Sequence, residues 1–233
     1  MINTFVLLTF SYKIPFNNFK KPYYFDDRIH NMGNVGLGGW VHAQFSPMAT
    51  KLIDNIRYNG IDIRQHVIKN YEKLFIEELN EKPKILDMCC GVGISTLENQ
   101  TGIDTSNQMI AKAKMIRDSK NLHRRKGRKI NTEFKVANAE YYGNDNEFDC
   151  VTIMFAMHEI PNYAHVNIIN NCKRISKSNV IIVDISPTYS PSRIMLAGEP
   201  YLIDYLKNFD NLMEQEGFKN IEMIDDHVRI WYY

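Results

Sequence analysis

Asp87-Met88-Cys89-Cys90-Gly91-Val92-Gly93 is the stretch whose reading decides the fold. The residues leading into it, Lys84-Ile85-Leu86-Asp87-Met88, form an apolar run bounded by Pro83 and a glycine turn. Such a run is too short for a helix and reads as a buried strand. A tight glycine turn after the first strand of a parallel sheet lies at the sheet's carboxyl edge, where open α/β folds bind ligands. Gly91 and Gly93 supply that turn, because glycine takes positive φ without a Cβ clash and lets backbone approach a bound nucleoside. Ile94, Ser95 and Thr96 are expected to open a helix whose free N–H groups face the ligand.

Working outward, similar runs recur at Gly102-Ile103-Asp104, Phe134-Lys135-Val136, Phe148 to Met154 and Val180 to Asp184. Met109, Ile110, Ala113 and Ile116 repeat at helical spacing after a Ser106 cap signal, and Val166, Ile169, Cys172 and Ile175 carry another amphipathic segment. Strands alternating with helices imply a parallel sheet. Leu202, Leu206, Phe209 and Met213 predict a helix ending at Gly217, and Phe218 to Ile224 and Val228 to Tyr233 predict a closing hairpin around Asp225-Asp226. Upstream, Pro47 to Tyr58 and Asp62 to Leu79 read as helices. Asp26 to Ser46, with Gly33, Gly36, Gly38 and Gly39, has no periodicity and reads as a loop. Residues 1–61 are therefore an arm, a Gly-rich loop and a cap helix, and residues 62–233 the main domain.

With 28 Lys+Arg against 27 Asp+Glu the formal charge is +1, so no global field draws the chain to nucleic acid or an anionic membrane. One dense basic run, Lys120 to Lys129, reads as a solvated loop, with a docking patch as the alternative. Cys89, Cys90, Cys150 and Cys172 have no metal-ligand spacing, so no metal is expected, and they read as reduced thiols of a cytoplasmic protein. The apolar run Phe5 to Phe10 is far shorter than the roughly 20 residues of a membrane span, and Met1-Ile2-Asn3-Thr4 lacks the basic start of a secretory signal.

A dinucleotide site calls for a third glycine, and that position holds Thr96. Asp87, four residues before Gly91, repels a diphosphate and favours a ligand bearing an ammonium and a sulfonium. Asp104, followed by Thr105, ends the second strand as an acceptor for ribose hydroxyls, which both cofactor classes require. Asn138-Ala139 offers an amide oxygen and a backbone N–H to an adenine edge.

Taken in order, Leu86 to Thr96, Gly102 to Asp104, Asn138-Ala139 and Phe148 to Pro161 resemble the motif series of class I S-adenosylmethionine-dependent methyltransferases, over roughly residues 62 to 233. The Asp-x-Cys-Cys-Gly-x-Gly form is similar to the ubiquinone/menaquinone methyltransferase-like branch, whose members act largely on small or lipid-like molecules. The resemblance implies a Rossmann-like, mostly parallel seven-stranded sheet with a C-terminal antiparallel hairpin, helices on both faces and an N-terminal helical cap. It implies S-adenosylmethionine as cofactor, with Asp87, Cys89, Gly91 and Gly93 at the methionine end. Asp104 and Thr105 would then serve the ribose, Asn138 and Ala139 the adenine, and Phe155 the end of the fourth strand.

Met154 to Pro161 is the expected floor of the transfer site. His158 has a pKa range suited to taking a proton from an attacking hydroxyl or acidic carbon. Glu159 is expected to begin the next helix. A lid is sought in the Gly-rich arm with His30, Trp40 and His42 and in the stretch Ser186 to Tyr205, and an acceptor pocket among Trp40, His42, Tyr189, Tyr201 and Tyr205. The leading function is methyl transfer to an O, N or acidic C atom of a small or lipid-like molecule, without stable nucleic acid binding. A protein or RNA methyltransferase docking through Lys120 to Lys129, a non-catalytic subunit of the same fold, and a nicotinamide oxidoreductase are the alternatives.

Overall fold

A computed structural model of the chain describes residues 21–122, 124, 125 and 127–233. The run Phe5 to Phe10 and two positions of the basic loop lie outside them. The seven strands are β1 (Ile85–Met88), β2 (Thr101–Asp104), β3 (Glu133–Val136), β4 (Phe148–Met154), β5 (Ser176–Ile185), β6 (Lys219–Ile224) and β7 (Val228–Tyr232). They form one sheet in the order β3-β2-β1-β4-β5-β7-β6. The first five are parallel, and β7 runs antiparallel between β5 and β6. The helices are α1 (Gly36–Arg57), α2 (Ile63–Leu79), α3 (Asn107–Leu122), α4 (Asn162–Ile175), α5 (Arg193–Gly198) and α6 (Leu202–Gln215).

The central strands β1, β4 and β5 are almost wholly buried, as expected of parallel strands covered on both faces. Trp231, Tyr205, Phe209, Leu202 and Met213 fill one side of the core, with Ile168, Ile169 and Cys172 of α4. A second cluster joins Tyr58, Ile63 and Ile68 to Ile85, Cys150 and Val183. Among the described residues no helix is long and apolar enough to cross a membrane.

Two local expectations fail. No helix follows β1: residues 91 to 100 are turns. The Asp87 carboxylate instead gathers this loop, accepting from Ser95 Oγ at 2.7 Å and Thr96 Oγ1 at 2.6 Å. The second failure is the Gly-rich loop, whose last part is helical, since α1 begins at Gly36 and holds Pro47 in its interior. Its glycines serve close packing. A Cβ on Gly38 would lie 1.7 Å from the Met32 carbonyl oxygen, and one on Gly39 2.4 Å from the Asn34 carbonyl. The preceding chain thus folds against the first turn of α1.

Candidate functional site

A cavity of about 580 Å³ opens at the carboxyl edge of β1, β2 and β4, roofed by the arm and by α1. The turn after β1 forms one wall. Cys89 (φ 56°) and Gly91 (φ 52°) both take left-handed backbone there, and a Cβ on Gly91 would meet nothing within 4 Å. Gly93 is not on the wall. A Cβ at that position would lie 2.6 Å from the ring of Phe134 on β3, so this glycine packs the turn onto the sheet.

Asp104 closes the base of the turn. One carboxylate oxygen accepts from the Gly91 N–H at 2.9 Å, and the other accepts from the Ser106 N–H at 2.8 Å at the start of α3. Burial pushes its pKa up to about 6, against the lowering by these backbone donors. Thr105 lies beside it on the wall. Asp87 is buried behind the turn rather than exposed to the cavity, and burial raises its pKa to about 6 as well. Its charge reaches the site through Ser95, which lines the cavity. Asn138 and Ala139 also line it; the Asn138 side-chain oxygen accepts from the Glu140 N–H at 2.8 Å, fixing the loop after β3.

The far end is built on the loop after β4. Phe155 takes a φ of 55° and donates its N–H to the Val183 carbonyl at 2.7 Å, which swings its ring into the cavity. The Arg64 guanidinium lies 4.2 Å from the centroid of that ring and 3.6 Å from Asp54. Its buried Nη1 has no hydrogen-bond partner. Met157–Glu159 is a 3-10 turn, so Glu159 does not begin a helix; Pro161 separates it from α4. His158 is buried, with Nδ1 2.5 Å from Asp184 Oδ1 on β5. Burial disfavours its charge, but the Asp184 carboxylate outweighs that and raises its pKa to about 9. The Asp184 carboxylate thus favours the imidazolium form at neutral pH.

The arm closes this end. His30, at φ 51°, bridges two carboxylates, Nε2 to Glu159 Oε1 at 2.9 Å and Nδ1 to Glu199 Oε1 at 2.7 Å. Burial opposes its charge, but the two glutamates carry its pKa to about 11. His42 packs edge-on against His30, with ring centroids 4.3 Å apart, and its Nδ1 meets Asn34 Oδ1 at 2.9 Å. Burial and the charge of His30 depress its pKa to about 4, so it is neutral.

Of the residues picked out for an acceptor pocket, His42 and Tyr189 line the cavity. Trp40 lies off the wall and is 55% exposed, on the outer face of α1. Tyr201 fastens the arm by donating to Asp26 at 2.8 Å, and Tyr205 belongs to the core, donating to the Ile185 carbonyl. Arg64, Asp184 and Glu199 were not singled out by the sequence, because nothing in their spacing links them to the turn.

Residues 85–179 match the methyltransferase domain family, and this span holds the turn, Asp104, Asn138 and His158. That span, less than half of the chain, is similar to a methyltransferase domain. A demethylmenaquinone methyltransferase of Staphylococcus saprophyticus is 32% identical over 135 residues, 53% of this chain and 52% of that protein. A second, from Staphylococcus haemolyticus, is 30% identical over the same length. The chain thus spans about half the length of the curated relatives it matches. Among solved structures, a SAM-dependent methyltransferase from Aquifex aeolicus matches at a TM-score of 0.51 and 16% identity, covering 80% of this chain and 96% of that one. A plantazolicin methyltransferase in complex with SAH matches at 0.51 and 20% identity, covering 83% and 94%. These likenesses establish the fold of the methyltransferase domain, including its antiparallel C-terminal strands.

Proposed function

We propose that the chain is an S-adenosylmethionine-dependent methyltransferase that passes its methyl group to an O, N or acidic C atom of a small or lipid-like acceptor, acting in the cytoplasm. The observation that carries this reading is one continuous cavity joining Gly91, Asp104 and Asn138 to His158 and the arm. Its volume lies within the roughly 300–1,000 Å³ of small-molecule sites.

In this reading the nucleoside lies between the turn and Asn138-Ala139, with its ribose hydroxyls donating to Asp104. When bound, the cofactor would supply a methyl group already activated by its sulfonium. The protein needs only to align the acceptor in line and exclude water. His158, its ring fixed by Asp184, contacts the acceptor, and Tyr189, Met195 and His42 shape the pocket around it. Within the basic loop, Arg124 is committed to Glu98 at 2.5 Å, which favours a small acceptor over a macromolecule docked there.

Calorimetric titration with S-adenosylmethionine and with NAD tests the cofactor. Heat with the first and none with the second is the expected result; silence with the first sinks the reading. A metabolite screen that follows S-adenosylhomocysteine release then identifies the acceptor.

A further inference from the structure

His30, Glu159 and Glu199 converge on one point of the cavity from three separate parts of the chain, the arm, the loop after β4 and the segment between α5 and α6. We propose that these three residues bind a divalent transition-metal ion, Mn²⁺ or Zn²⁺ by their donor set. One imidazole nitrogen and two carboxylates suit borderline and moderately hard cations.

Geometry is the first support. One donor atom from each residue lies within 4.8 Å of the others. Ligands around an ion bound at about 2.1 Å stand roughly 3–4 Å apart, and since an imidazole gives one nitrogen to an ion, the carboxylate now on the other ring nitrogen must turn to the same side. Glu199 gives the second, independent support. It is 6% exposed, and its Oε2 is buried without any hydrogen-bond partner, although it belongs to a side chain on the cavity wall. A buried carboxylate oxygen left unpaired is costly, and a cation satisfies it.

Charge points the same way. With His30 binding as a neutral imidazole, two carboxylates and a divalent ion sum to zero, which suits a largely buried place. The donors are 129 and 40 residues apart in sequence, which explains why no metal-ligand spacing is visible there. Three protein ligands leave coordination positions open toward the cavity. There the ion polarises an oxygen of the acceptor, a role that rests on the transferase reading above.

The test uses the full chain, stripped with a chelator and desalted. It is titrated calorimetrically with Mn²⁺ and Zn²⁺, and with Co²⁺ followed by visible absorption. One ion per chain and a new Co²⁺ absorption band are expected, with affinity at least tenfold weaker in Glu199→Gln. If that variant does not fold by circular dichroism, His30→Ala is read in its place. No uptake by the wild type, or equal uptake by the variant, overturns the site and leaves the triad as a buried ion pair fastening the arm. S-adenosylhomocysteine titration of the same stripped wild type decides the transferase reading separately. Binding of that nucleoside without binding of metal overturns the metal site alone.

Discussion

The Asp104 carboxylate holds the Gly91 N–H at 2.9 Å, so the end of β2 supports the turn that follows β1. The residue assigned to the ribose thus also shapes the wall it would sit on. Burial raises its pKa to about 6, and the sign of the consequence follows from which form each state prefers. In the free protein the protonated form is favoured, so the stability contributed by Asp104 is present below the ordinary carboxylate range and lost as pH rises through about 6. Ribose hydroxyls donate to the ionised form, so ligand binding has the opposite slope. S-adenosylhomocysteine affinity should be flat above pH 7 and about tenfold weaker at pH 5, where roughly a tenth of the carboxyl is ionised. Calorimetry across pH 5 to 8 checks this. Asp104→Asn should bind weakly at every pH, and a profile as steep as that of the wild type would remove Asp104 from the site.

Gly93 carries a different burden from Gly91. Its φ of 79° and the Phe134 ring 2.6 Å from a would-be Cβ leave no room for a side chain. Gly93→Ala should cost about 2 kcal/mol or more through left-handed strain and overpacking. At this chain length that lowers Tm by roughly 4–8 °C. Differential scanning fluorimetry reads it directly. Gly91→Ala carries the left-handed strain without the clash, so its Tm should fall by less.

These contrasts explain what the sequence could reveal. The strands were legible because each is a run of β-branched and apolar residues between turn signals, and the Ser106 cap of α3 was legible because it acts over three residues. Asp104, Gly91 and Asn138 were legible for the same reason, since each sits beside a strand end. The start of α1 was not, because glycines that allow Met32 and Asn34 to press on a helix look, as a string, like a loop. Nor was the far end of the cavity: His158 meets Asp184 across 26 positions and His30 meets Glu159 across 129, and no local pattern records such pairs.

Asp184 is a positioning residue in this scheme. Besides His158 Nδ1 it accepts from the Met157 N–H at 2.7 Å, so it fixes both the ring and the turn that carries it. Asp184→Asn keeps the volume but loses the charge opposite the ring. With an acceptor identified by screening, kcat should fall by about 10²-fold, the usual scale for a misaligned proton-handling group. The Kd for S-adenosylhomocysteine should stay within twofold. A loss of cofactor affinity equal to the loss in kcat would mean that Asp184 supports the fold of the site rather than the acceptor.

Arg64, which with Arg57 lines the cavity, would meet the carboxylate of the proposed cofactor's methionine end. Gln65 donates to the Ile94 carbonyl at 2.7 Å and so anchors the first turn of α2 beside the glycine loop. This places the Arg64 guanidinium over Phe155 on the cavity wall, its buried Nη1 3.6 Å from Asp54 Oδ1 and without a hydrogen bond. A carboxylate there completes the guanidinium's hydrogen bonds, a charge-assisted contact of about 1.5–3 kcal/mol. Arg64→Met preserves much of the stem that covers Phe155 while removing the charge. S-adenosylhomocysteine should then bind at least tenfold more weakly, whereas 5′-methylthioadenosine, which has no carboxylate, should bind Arg64→Met and wild type alike. If both ligands weaken together, Arg64 holds the pocket's shape; if neither does, the carboxylate is bound elsewhere.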